Sequence, residues 1–313
     1  MEEVLDSRGR PESREMLEAK ERTMLAECVF FASRVAARVS EGDLAALAGL
    51  LRRASAAYAA GASRSPDKVQ LVYASAFAAF AAMEPVPGNA AAAAGLRAAL
   101  APEAGAGAAA RSCAGVGPLA WGVLVAADAG SGVAEEEAAG ALREAVEAGV
   151  FTFLEEALRS HAFQDDPRRG AYAAAMHATV ASFLNVWPGK RQVEWMRNGG
   201  ADKAPPGGPV PPHPQFAALL RALAQAYELC PDLSAAAPVL RDFMVFAEEA
   251  TQACPAALVA YLDLLASLVS SEAAASALWS QLAERLGGRI RWDSLVAVLV
   301  GYCQRFNEPG PGG

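Results

Sequence analysis

Apolar residues recur every third or fourth position along nearly the whole of this chain. No Val, Ile and Thr run alternates with polar residues as a half-buried strand would. The stretch Cys254 to Phe306 shows the pattern most clearly. Pro255 suits a first helical position, where its missing N–H costs nothing. Leu258, Tyr261, Leu262, Leu265 and Leu268 then form one stripe. Ser270 or Ser271 can cap a second helix, striped by Ala275, Leu278, Trp279, Leu282 and Leu286. Gly287 and Gly288 end it, because Gly enters a left-handed C′ conformation without steric cost. A third helix follows Trp292 and Asp293, with Leu295, Leu299, Tyr302 and Phe306 on one face. These are packing signals and carry no chemistry.

The same grammar runs through the rest. Residues 1–12 are polar and expected to be disordered. A helix follows with Leu17, Met24, Cys28, Phe31 and Val35 in register. Asp43 can cap the next, striped by Leu44, Leu47, Leu51, Ala54 and Tyr58. A third begins after Ser65-Pro66-Asp67 and carries Val69, Val72, Tyr73, Ala76, Phe80 and Met83. Residues 89–117 are Ala-rich and interrupted by Gly and Pro, which predicts a short helix over 90–100 and then a loop. Short helices are expected over 118–129, 135–148 and 150–159, with a turn at 130–132 and a break at Gly149. A longer one over 167–187 carries Tyr172, Met176, Thr179, Val180, Phe183 and Trp187, and one or two helical turns over 190–198 carry Trp195. Residues 199–214 (GGADKAPPGGPVPPHP) form the one clear linker, too poor in apolar surface to repay ordering. Helices over 215–230 (Phe216, Leu219, Leu220, Leu223 and Tyr227) and 238–250 precede the opening three, and 307–313 is a tail. The expected fold is all-α, with about a dozen helices, no strict repeat and no significant sheet. An irregular α-solenoid of the HEAT type fits this better than a closed bundle. Its first part covers 13–198 and its second 215–306.

Composition narrows the function classes. Hydrophobic residues make up 53% of the 313, above the usual roughly 45–50%. The net charge of −8 argues against direct nucleic-acid binding, which cationic contacts drive. Arg168, Arg169, Lys190, Arg191 and Arg197 are interleaved with Asp165, Asp166 and Glu194, as on a solvated helix surface. Cys28, Cys113, Cys230, Cys254 and Cys303 are dispersed, which suggests buried thiols in a reducing compartment. Met1 to Lys20 has no apolar core of a signal peptide, and the most apolar window, Leu71 to Met83, is too short to span a bilayer.

No catalytic constellation emerges, so no catalytic, cofactor-binding or metal-ligating residue is assigned, no cofactor is expected and the chain does not read as an enzyme. The Gly clusters follow no strand and no Gly-Lys-Ser/Thr occurs. His161, His177 and His213 fall on a helix end, a helix and the linker, and His177 sits among apolar neighbours as a structural histidine. The acids Glu135 to Glu137 and Asp165 to Asp166 fall at helix starts or turns, where dipole and solvent account for them.

Several stretches resemble one known family. ALVAYLDLLASLVSSEAAASALWSQL, followed by IRWDSLVAVLVGYCQRF, is similar to part of the large inner-ring scaffold nucleoporins, the nucleoporin 205/192 family. Tyr261, Trp292, Asp293 and Tyr302 carry that similarity. VFTFLEEAL at 150–158 and FLNVWPGKRQVEWMRN at 183–198 resemble a second block, and 14–51 resembles a helix pair near the family's N-terminus. The similarities keep the family's order over about two-thirds of the chain; 89–117 matches poorly. Family members are several times longer, so the resemblance implies an N-terminal part. It also implies a structural scaffold of the nuclear pore complex at the nuclear envelope, part of a large symmetric assembly with only indirect membrane association. Its implied partners are linker nucleoporins bearing short helical motifs and the channel nucleoporin trimer. Another helical-repeat adaptor, such as a transport receptor or vesicle-coat protein, is the alternative.

Overall fold

The computed structural model describes residues 3–5, 11–35, 40–59, 66–84, 96–101, 106–128, 131–186, 213–235 and 255–269, with isolated positions at Ala90, Ala93, Glu272, Ala275, Ser276 and Val300. The Trp187 end of its helix, the helices expected over 190–198 and 238–250, nearly all of the linker, the Trp292 helix and the tail lie outside the described residues. So does most of the second helix of the 254–306 stretch.

The described chain is overwhelmingly helical. The helices are α1 (Arg14–Val35), α2 (Glu41–Ala59), α3 (Pro66–Ala82), α4 (Arg97–Leu100), α5 (Ala108–Ala114), α6 (Val116–Ala127) and α7 (Glu135–Ala148). They continue with α8 (Val150–Arg159), α9 (His161–Gln164), α10 (Arg169–Asn185), α11 (Pro214–Leu229), α12 (Asp232–Ala235) and α13 (Pro255–Ser267).

Punctuation follows local chemistry. The hydroxyl of Ser40, not Asp43, caps α2: it accepts from the Asp43 N–H at 3.2 Å and donates to the Asp43 carboxylate at 2.6 Å. Gly149, at φ +94°, closes α7 through its N–H and opens α8 directly. The expected turn is present, with Ser131 N–H donating to the Asp128 carbonyl and Gly132 at φ +71°.

α3 is the centre. Every residue from Leu71 to Met83 is buried, as befits a helix apolar on all sides. α1, α2, α6, α9 and α10 pack against it. α2 also meets α4 and α5, α6 pairs with α7, and α11 lies against α8, α10 and α13. One apolar core runs without interruption from Phe30 to Leu265. At its heart the Phe77 and Tyr172 rings stack, with centroids 5.1 Å apart, and Phe30 meets Tyr172 edge-on at 4.7 Å. The buried face of α13 is Ala257, Ala260, Tyr261, Leu264 and Leu265, with Leu258, Leu262 and Leu268 half-buried at its margin.

Four further expectations about the fold are corrected. Glu3–Leu5 and Pro11–Ser13, inside or bordering the segment expected to be disordered, form an antiparallel ribbon with Val4 opposite Glu12. Its ladder uses backbone groups that even a polar segment carries, so composition did not announce it. α5 stands where a loop was expected, because the Ala-rich run after Gly107 is a good helix former despite its flanking glycines. Pro214 is the first residue of α11 and His213 its N-cap, so the linker ends earlier than its composition suggests. The fourth concerns which face of α1 is buried.

Candidate docking surface

Leu17, Met24, Cys28, Phe31 and Val35 do share one side of α1, but that side faces outward. Met24 is 64% exposed and Val35 88%; Phe31 and Cys28 are exposed, and Leu17 is half-buried. A second series at the same spacing, Ala19, Thr23, Ala26 and Phe30, is the buried one. Three of its four members are small, so α1 can approach the Ala-rich α3 closely. Thr23 satisfies its hydroxyl on the Ala19 carbonyl at 2.8 Å. Glu27, beside this face, is 9% exposed and pairs with Arg168 from the turn before α10. A reading that ranks residues by size selects the outer stripe; close helix packing selects the inner one.

The outer stripe borders a groove of about 580 Å³. Leu25, Val29, Ala32 and Ser33 of α1 form one wall, and Ala46, Leu47 and Leu50 of α2 form the other. α1 and α2 both rest on α3 yet barely touch each other; Ala82 of α3 also lines the gap. Arg22, Asp43 and Arg53 stand at its edges. Asp43 is engaged in the cap of α2. Arg22 shares Glu18 with Arg14 at 3.3 Å in exposed pairs, which hold little energy. A smaller cavity of about 310 Å³ lies between α2, α4 and α5. It is lined largely by alanines, and Arg52 crosses to the Ala99 carbonyl at 2.8 Å.

The titratable and polar groups inside the protein are placed for packing. Burial pushes the Cys113 thiol up to about 12, with the Ser55 hydroxyl 3.2 Å away, so it is no nucleophile at neutral pH. Cys28, expected to be buried, is exposed, and Cys230 is half-buried. His177 pairs with the Tyr227 hydroxyl at 2.9 Å between α10 and α11, and burial lowers its pKa. His213 accepts the Gln215 N–H at its helix cap. Asp166, expected in a solvated turn, is 5% exposed; it accepts from Gln70 at 3.1 Å and from the Arg168 N–H at 2.8 Å. Glu155 holds Arg221 at 2.6 Å and Arg159 at 3.0 Å, tying α8 to α11. Among the described residues no three His, Cys, Asp or Glu side chains gather to hold a metal.

One polar contact that sequence reasoning missed is that of Gln215. Its carbonyl oxygen accepts the N–H groups of Phe151 and Thr152 at 3.0 and 3.1 Å, and its amide donates to the Thr152 hydroxyl at 2.6 Å. Gly149 offers α8 no side-chain cap, so a residue more than sixty positions away supplies one. Only the capless Gly149 hints at this in the sequence.

One described run, Ala108–Ala127, is long and apolar enough to cross a bilayer by length and composition. Yet 78% of its apolar window is buried against its own neighbours, and Gly115 interrupts it.

Among the described residues, fold and surface together define a mostly helical protein with a continuous apolar core and a large apolar face of α1 left open. Comparison with protein-family models, with curated proteins and with solved structures finds no match in any of the three.

Proposed function

We propose that this chain is a non-catalytic scaffold of the nuclear pore inner ring, an irregular α-solenoid that holds partner nucleoporins through grooves between its helices. The observation that carries the reading is the open stripe of α1 beside the α1–α2 groove, in a protein whose other large described helices bury their apolar faces. Large exposed apolar patches mark interaction sites, and a cleft between two helices is the shape that receives a third. The resemblance to the nucleoporin 205/192 family supplies the identity of the assembly. Its residues include Phe151 and Phe153 of α8 and Tyr261 of α13, all buried. The partners would be linker nucleoporins bearing short helical motifs and the channel nucleoporin trimer, at the nuclear envelope, with nucleic acid and membrane engaged only through other components.

The test is to express the tagged chain in cells, image it and identify what co-purifies. Enrichment at the nuclear rim with inner-ring nucleoporins is the expected result. Enrichment on vesicles with coat proteins, or with transport cargo, would overturn the proposal in favour of another helical-repeat adaptor.

A further inference from the structure

We propose that the cavity between α2, α4 and α5 binds a small aliphatic carboxylate, its chain inside and its head at Arg52. The site is separate from the open face of α1 and does not depend on the scaffold reading. The cavity holds about 310 Å³, and its walls include Ala48, Leu51, Leu100 and Ala110. An apolar cleft on which a polar group converges is the usual form of a small-molecule site. Among the described lining residues the only hydroxyl is that of Ser55, which is buried and donates to the Leu51 carbonyl at 2.8 Å. The interior therefore offers methyl surface and no free hydroxyl donor. Water is poorly held in such a space, because an ordered water needs about two to four polar partners. About 150 Å³ of apolar cavity accommodates a six-carbon ring, so about twice that volume takes an unbranched chain of roughly eight to ten carbons.

The mouth selects the head group. Arg52 is the only charged residue among the described residues that line the cavity. Its side chain is exposed but tethered: the guanidinium donates to the Ala99 carbonyl of α4 at 2.8 Å. That bond uses one of the guanidinium's N–H donors and brings no negative charge to offset the cation. Arg52 forms no ion pair among the described residues. A carboxylate matches the planar guanidinium both in charge and in its two-oxygen geometry. A phosphate monoester carries more charge than one arginine balances, and an ammonium is repelled. Gly107 stands at the rim, and a Cβ there would meet nothing within 4 Å, so the entry is open on that side.

The experiment is isothermal titration of the full chain with sodium octanoate below its micelle concentration. One saturable site is expected, weakened by salt. From hexanoate to decanoate the affinity should rise about two- to fourfold for each added methylene. Octan-1-ol should bind about two- to fivefold more weakly than octanoate, and octyltrimethylammonium more weakly still. Arg52→Gln should bring octanoate down to the level of octanol and leave octanol unchanged. Ala56→Leu, which adds volume to the cavity wall, should weaken both ligands at least about tenfold. Arg52 and Ala56 are exposed, so circular dichroism and melting should show both variants folded. Should Ala56→Leu fail to fold, the comparison of octanoate with octanol in Arg52→Gln still decides. Leu25→Glu on α1 should bind octanoate as wild type does. Failure of wild type to bind octanoate would overturn the proposal, as would equal binding of octanoate and the ammonium. Binding at many sites, or binding indifferent to Arg52→Gln and Ala56→Leu, would overturn it too. So would binding lost in Leu25→Glu, which would place the ligand on the open face of α1.

Discussion

Replacing Gln215 by Leu keeps the volume of the side chain and removes its hydrogen bonds, so it isolates the remote cap of α8. The Phe151 N–H would then lie buried without an acceptor, since Phe151 is fully buried. An unsatisfied buried donor costs about 1–3 kcal/mol. The Thr152 N–H and hydroxyl sit in a partly buried site where water can replace part of what is lost, adding about 0.5–1 kcal/mol. Leucine recovers a little through its apolar surface, so a net loss of about 2–3 kcal/mol is expected. Urea unfolding with an unchanged slope would read this as a lower midpoint. Amide exchange should locate it, with Phe151 and Thr152 losing protection before residues of α7. Gln215→Glu keeps both acceptor positions and sets a negative charge at a helix N-terminus, where it is favoured; it should cost less than the leucine despite the burial. A leucine variant within about 0.5 kcal/mol of wild type, as a surface substitution would be, would refute the capping role.

Three further outcomes are expected. The Tyr172 hydroxyl is buried without a hydrogen-bond partner among the described residues, and burial with the nearby Asp166 charge pushes its pKa up to about 12. Tyr172→Phe should therefore leave the melting temperature unchanged or raise it, and a loss above about 1 kcal/mol would reveal a missed partner. A methyl group at Gly122 would stand 2.8 Å from a Leu142 methyl on α7, so Gly122→Ala should destabilise by about 1–3 kcal/mol through overpacking of α6 on α7. Burial holds the folded-state pKa of His177 below its ordinary 6.5, so the unfolded chain binds the proton first. Stability from this group is present above pH 6.5 and is lost as pH falls through the folded-state value. His177→Gln should flatten that part of the stability–pH curve, and a curve of unchanged slope would exclude His177 as its source.

Helix positions were legible wherever stop signals are local. Gly149 and the Ser65-Pro66 start act through the φ of one residue or a missing N–H, and described helices end or begin there, while the 130–132 turn lies between α6 and α7. The all-helical class follows from the same periodicity. Helix faces were legible only where the inward stripe is also the bulky one, as with Leu44, Leu47 and Leu51 in α2 or Phe216, Leu219 and Tyr227 in α11. Long-range polar pairs such as Gln215 with α8, Glu27 with Arg168 and His177 with Tyr227 were not legible. Each joins residues far apart in the chain through a geometry that no local spacing encodes. The candidate surface was present in the sequence as a stripe, but its direction was not.

That direction is where folding and function part company. Full burial of a Leu or Met gives about 1.5–3 kcal/mol, and Met24 and Leu25, each more than 60% exposed, forgo most of it. Turning α1 by about a quarter to a third of a turn would bring Met24 and Phe31 towards α3, but it would also expose Ala26 and Phe30 and pull Glu27 from Arg168. Stranding the Glu27 carboxylate away from its partner costs several kcal/mol, and the burial lost at Phe30 offsets that gained at Phe31. The Glu27–Arg168 pair and the close packing of Ala19, Ala26 and Phe30 together favour the rotation that leaves the bulky face of α1 outside. The same argument separates two roles within one helix. Glu27→Gln should loosen the hold on Arg168 and lower stability while leaving the stripe's composition intact. Met24→Ser should leave stability nearly unchanged, because little apolar area is buried there to lose. If Met24→Ser instead lowered the unfolding free energy by the about 2–5 kcal/mol typical of a core methionine, the outer stripe would be part of the core, and the case for an open docking face would fall with it.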